Sequence, residues 1–157
     1  MRRKDREVTD FNEIIDIIHR CDVLRLGMVD NGMPYVIPLN FGFDVTDNQL
    51  TLYFHAALEG RKNNILKVNP NVCFEMDCSF ELKRDEAACK WSAYFESVVG
   101  YATAEQIIDA TEKKIAMDNI MQHYGFPGTP DYGPNTFART VLFKLTVTEI
   151  AGKRNTK

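Results

Sequence analysis

The chain has 157 residues, of which 45% are hydrophobic, 11% aromatic and 26% charged, with a formal net charge of −3. That length and balance fit a single domain over residues 1–157 and exclude a disordered or fibrous chain. No nucleic-acid footprint stands out, no apolar run is long enough to span a membrane, and the charged start Met1-Arg2-Arg3-Lys4-Asp5-Arg6-Glu7 is no secretion signal. The expected setting is the cytoplasm.

The first predicted element is a helix capped by Thr9 or Asp10. Glu13 completes a capping box, an isoleucine stripe runs from Ile14 to Ile18, and the helix stops near Arg20. The period then changes to two. Val23 to Val29 reads as a strand, Asp30-Asn31-Gly32 as a turn, Met33 to Phe43 as a second strand, Asp44 to Asn48 as a turn, and Gln49 to His55 as a third strand. Arg61 to Asn69 is a short helix, and Asn71 to Cys78 alternates as a strand with Val72, Phe74 and Met76 on one face. Residues 79–90 read as charged and irregular, followed by a long strand from Trp91 to Ala104. A capping box at Asp109 and Glu112 opens a helix whose stripe is Met117, Ile120, Met121 and Tyr124. A Gly/Pro-rich loop covers Phe126 to Pro134, and the last strand runs from Val141 to Thr148 with Val141, Phe143, Leu145 and Val147 inward. Hairpin-joined strands with peripheral helices predict a mainly β (α+β) antiparallel barrel, and no dinucleotide or P-loop glycine pattern is present.

Cys21, Cys73, Cys78 and Cys89 contain no C-x-x-C pair and suit no common zinc module, so they read as small buried apolar residues, and no metal is expected.

Three segments point to chemistry. In the second strand, Pro34, Val36, Pro38, Asn40 and Gly42 share a face relieved of bulk; a glycine there marks close approach of a ligand or of another backbone. After Tyr53-Phe54-His55, a glycine loop leads to a helix that begins at two cations, Arg61 and Lys62. Cations oppose the positive end of a helix dipole, typically by about 0.3–1 kcal/mol each, and a bound phosphate would offset that. In the third segment, Glu96 and Ser97 are polar among apolar neighbours and need partners, from a ligand or from a neighbouring strand.

Together these segments resemble the pyridoxamine 5′-phosphate oxidase-like flavoproteins, the FMN-binding split barrels, and within them the branch related to nitroimidazole-resistance proteins. The motifs that carry the likeness are the charged opening; Asp30-Asn31-Gly32-Met33-Pro34-Tyr35-Val36-Ile37-Pro38-Leu39-Asn40; Tyr53-Phe54-His55-Ala56-Ala57 through Gly60-Arg61-Lys62 to Asn69-Pro70; Trp91 and Tyr94 with Glu96-Ser97-Val98-Val99; and the closing Ile150-Ala151-Gly152-Lys153. The resemblance implies a homodimer with FMN at the subunit interface. It implies that Pro38, Leu39 and Asn40 line the isoalloxazine, that Tyr53 and His55 belong to the flavin site, that Arg61 and Lys62 hold the phosphate, and that Ser97 contacts the flavin.

The vitamin oxidases carry a lysine where this chain has Asn40, and their basic closing motif is missing, so the likeness extends to the cofactor rather than to their substrate. The expected activity is that of an FMN-dependent oxidoreductase passing electrons from a reduced donor to a small acceptor such as a nitroaromatic. His55 is the candidate catalytic proton donor, because its unperturbed titration lies near neutral pH. The alternatives are a flavin carrier or redox sensor without turnover, and a haem-binding or haem-degrading barrel.

Overall fold

The computed structural model describes residues 3–156, so Met1 and Arg2 of the charged opening lie outside it. Its elements in chain order are β1 (Glu7–Val8), α1 (Phe11–Arg20), β2 (Leu24–Asp30), β3 (Met33–Leu39), β4 (Gly42–Thr46), β5 (Gln49–Ala57), α2 (Arg61–Val68), β6 (Asn71–Lys83), β7 (Ser92–Ile107), α3 (Ala110–His123), α4 (Pro134–Arg139) and β8 (Thr140–Asn155). One antiparallel sheet follows the order β3-β2-β6-β7-β8-β5-β4, with β1 added against β8. This is the split β-barrel expected from the sequence.

Local signals set the elements. The Asp10 carboxylate accepts from Glu13 N–H at 3.0 Å and Asp109 accepts from Glu112 N–H at 2.9 Å, so both predicted caps form. Asn31 and Gly32, and likewise Asp47 and Asn48, hold positive φ, which turns tight hairpins in the sense the strand twist favours. The alternating faces of β2, β5, β6 and β8 bury Leu24, Leu26, Leu52, Phe54, Phe74, Met76, Phe143 and Leu145, and α1 plugs one end with Ile14, Ile17 and Ile18. A second cluster, Tyr53, Ile107, Ala116, Ile120 and Leu142, lies beneath α3.

Four expectations are corrected. The predicted strand from Met33 to Phe43 is two strands, broken at Asn40-Phe41. β3 pairs with β2, β4 pairs with β5, and Phe41 turns fully inward. Bulk and burial at Phe41 outweigh continuation of the ladder. Residues 79–83 continue β6 past a bulge between Cys78 and Glu81, because they pair with β7. The last strand runs on to Asn155, and α4 begins at Pro134, where the loop was expected to end. Of the cysteines only Cys21 is buried; Cys73 and Cys78 are half-buried and Cys89 is exposed.

Candidate functional site

The break at Asn40-Phe41 creates the feature that organises the site. β3 and β4 stand at opposite ends of the sheet although only two residues separate them. β3 pairs along one edge only. β4 covers β5 as far as the Gly42–Tyr53 pair, leaving Phe54 to Ala57 paired on the β8 side alone. Two strand edges therefore face a slot with unspent backbone donors and acceptors. Because Gly42 stands beside Tyr53, Pro38, Leu39 and Asn40 approach the slot at the His55 end of β5. Pro38 and Asn40 are exposed and Leu39 is half-buried.

The start of α2 crosses the other end of the slot. The Asn63 amide donates to the Ala57 carbonyl at 2.9 Å and to Leu58 at 3.3 Å, fastening the helix to the end of β5. Arg61 reaches the opposite edge: its Nε donates to Asp30 Oδ2 at 2.8 Å, and its guanidinium lies over the Tyr35 ring, 4.3 Å from the centroid. Lys62 has no anionic partner among the described residues. The first turn of α2 contains no acidic residue and no side-chain cap. The Asn63 and Asn64 N–H groups fold back onto Gly60 O, while those of Arg61 and Lys62 are the orphan donors of any helix start. Asn63 is only 4% exposed, and its Oδ1 has no hydrogen-bond partner.

The two cations at this helix start are thus distinguished. Asp30 offsets Arg61, whereas nothing among the described residues offsets Lys62. The sequence pairs both with a phosphate and misses Asp30, since a carboxylate in a turn 31 residues away gives no local signal.

His55 projects from β5 towards α3 and faces a cavity of about 300 Å³ lined also by Met117, Ile120, Met121, Tyr132 and Thr140. Partial burial lowers its pKa below the ordinary imidazole value, and the Lys62 cation lowers it further. Tyr53, on the same face of β5, is buried under α3 and is not open to the slot.

Ser97 lies elsewhere. It is half-buried on the outer face of β7, between Asp77 of β6 and Lys153 of β8. Two strands intervene between β7 and β3, which puts Ser97 about 14 Å across the sheet from β3. Its neighbour Glu96 has a structural role: the carboxylate, 6% exposed, accepts from Arg20 at 2.7 Å, Arg154 at 2.6 Å and Ser79 at 3.1 Å. Gly42, read from the sequence as relieved of bulk, is explained by packing, and so is Gly100 of β7. A Cβ at Gly42 would lie 2.4 Å from Ile120 N, and one at Gly100 would lie 2.4 Å from the Phe74 ring.

A model of the pyridoxamine 5′-phosphate oxidase family matches residues 10–154. The chain belongs to this family. A candidate 5-nitroimidazole antibiotic resistance protein from Bacteroides thetaiotaomicron is 33% identical over 94% of this chain and 85% of its own, with a TM-score of 0.81. That likeness supports the branch assigned from the motifs. The flavocytochrome Anf3 from Azotobacter vinelandii is 20% identical over 100% of this chain and 72% of its own, with a TM-score of 0.81. A FAD and heme binding protein from Mycobacterium smegmatis is 16% identical over 97% and 74%, with a TM-score of 0.83. At those identities the last two establish the shared fold. No curated protein matches the chain. Among the described residues, no helix is long and apolar enough to cross a membrane, and no cluster of metal-ligating side chains occurs.

Proposed function

We propose that the protein is an FMN-binding oxidoreductase whose flavin ring occupies the slot between β3 and the end of β5, with its phosphate at the start of α2. The observation that carries this reading is the helix start itself: orphan backbone donors, a Lys62 without an anionic partner among the described residues and no acidic residue in the first turn, at one end of a slot with two unpaired strand edges. The donor set fits the cofactor. Lys62 and the α2 N–H groups suit one phosphate, the orphan acceptor Asn63 Oδ1 suits a hydroxyl-bearing chain such as a ribityl, and backbone at Pro38, Leu39 and Asn40 can bond the edge of a flat polar ring. Bound FMN would supply electron or hydride transfer from a reduced donor to a small acceptor. The protein's part is placement and proton supply. Arg61, held by Asp30 and Tyr35, would fix the mouth of the slot, and the His55 imidazole would pass a proton at its open end.

Ser97 lies about 14 Å across the sheet from β3, on the outer face of β7, so we assign its contact with the flavin to a second copy of the chain, in a homodimer with the cofactor at the interface. We assign the protein to the cytoplasm as one domain, where its four free thiols would stay reduced.

The test is the visible spectrum after loading with FMN and removing the excess, followed by turnover with NADH and NADPH. Retained, perturbed flavin with turnover is the expected result. Retention without turnover makes the protein a carrier, and no retention overturns the reading. Arg61→Ala with Lys62→Ala should weaken FMN binding by about 100-fold, the scale of losing two charge-assisted contacts; unchanged affinity would remove the phosphate from this position.

A further inference from the structure

We propose that the cavity between β5 and α3 binds an uncharged aromatic compound of one or two rings, oriented by a hydrogen bond to His55. The walls are apolar except at defined points. Met117, Ile120 and Met121 form the α3 side, with Tyr132 and Thr140 closing from the last connection, and among the described residues no Lys, Arg, Asp or Glu lines the space of about 300 Å³. The Tyr132 hydroxyl donates to Asp118 Oδ1 at 2.8 Å, which ties the ring in place and engages that carboxylate outside the cavity. A charged ligand would therefore lose its hydration with no oppositely charged side chain among the residues that line the space.

The methionines make the case sharper. On α3 the packing against the barrel is done by Ala116 and Ile120, both buried. Met117 and Met121 are only half-buried and both line the cavity. Thioethers are polarisable, adapt their shape, and favour the edges of aromatic rings. His55 supplies a directional partner for an oxygen or nitrogen on the ligand, and partial burial and the Lys62 cation both disfavour its charged form. The size lies at the small end of ligand pockets, which limits the occupant to about two fused rings. That the occupant is the electron acceptor rests on the flavin reading; the chemistry of the cavity does not.

The experiment is calorimetric titration of the full chain, with and without FMN, using 2,3-dimethyl-1,4-naphthoquinone as the uncharged probe and 1,4-naphthoquinone-2-sulfonate as its charged counterpart. The expected result is binding of the uncharged quinone and binding of the sulfonate about tenfold weaker or less. Met121→Glu should weaken the uncharged quinone by about tenfold or more, with Met121→Gln falling between it and the natural protein. A thermal melt reports whether each variant folds, and the comparison of the two quinones on the natural protein needs no variant. Equal affinity for both quinones, no binding of either, or a folded Met121→Glu that binds as well as the natural protein would each overturn the proposal. Quinone binding sensitive to Met121 in a protein that retains no FMN would uphold the cavity and refute the flavin reading separately.

Discussion

Gly42 starts β4 directly against the α3 backbone, and replacing it with alanine separates two explanations for a glycine in this strand. An alanine Cβ would lie 2.4 Å from Ile120 N, 2.5 Å from Asn119 C and 2.6 Å from Asn119 O. Ordinary contacts between such atoms begin near 3.5 Å, so α3 must retreat from β4 by about 1 Å. The obstacle is helix backbone, which cannot swing aside as a side chain can. Overpacking of this kind costs about 1–3 kcal/mol, and a backbone clash belongs at the upper end. Removing a glycine also lowers the entropy of the unfolded chain, offsetting about 0.4–1 kcal/mol. The net loss is about 2 kcal/mol, or a fall in Tm of roughly 4–8 °C for a chain of this size. Urea unfolding of Gly42→Ala checks it, with Gly27→Ala for comparison, where the nearest atom to an added Cβ is Cys73 O at 3.3 Å and the expected loss is under about 1 kcal/mol. If Gly42 serves ligand approach, the variant keeps its stability and loses flavin. A loss under about 0.5 kcal/mol would refute the packing argument.

Three further outcomes follow from the same contacts. Burial raises the Glu96 carboxyl and the Arg20 and Arg154 hydrogen bonds outweigh it, so its pKa lies below the ordinary value. The stability it contributes is therefore complete above about pH 4.3 and is lost as pH falls through the depressed folded value; Glu96→Gln should cost about 2 kcal/mol at pH 7 and flatten that acid limb in urea titrations at several pH values. Lys62→Ala should move the His55 titration upward, towards the ordinary imidazole pKa, because it removes a neighbouring cation; an NMR titration of the ring protons that shows no rise would refute the pairing. Asp30→Asn should release Arg61 from the β2–β3 turn, so that Arg61→Ala costs more FMN affinity in that background than alone; equal losses in a double-mutant cycle would sink the idea that Asp30 restrains Arg61.

Much of this fold is legible along the chain because its signals are local. The caps at Asp10 and Asp109 need only three residues of context, and the alternation of Val72, Phe74 and Met76 shows their shared face directly. The break at Asn40-Phe41 is not local. Tyr35, Ile37, Leu39, Phe41 and Phe43 continue a period of two without interruption, and only the burial of Phe41, with its N–H donating to the Tyr124 hydroxyl at 3.2 Å, ends the ladder. That partner lies 83 residues on. The methionine stripe on α3 has the right spacing for a packing face, yet spacing does not say which members touch the barrel and which border a cavity. Glu96 shows the same limit: the sequence demands partners for it, while Arg20 and Arg154 become partners only when α1 and β8 meet on β7.

The misread strand and the site have one cause. Had Met33 to Phe43 remained a single strand, one ladder would have run through the position of the slot, and the edges of β3 and β5 would have been satisfied. Turning Phe41 into the core moves the chain from one end of the sheet to the other in two residues and leaves both edges open. Open edges carry an energetic and an aggregation cost that proteins limit by covering them. α2 covers part of the opening: Asn63 fastens it to β5 and Arg61 to the β2–β3 turn, and its uncapped start faces what remains. A ligand that bonds both edges and places an anion at that start would satisfy the strands and the helix together. Flavin loading should therefore slow hydrogen exchange at Phe54 to Ala57 and at the start of α2 more than in β6 or β7, where the ladder is already complete.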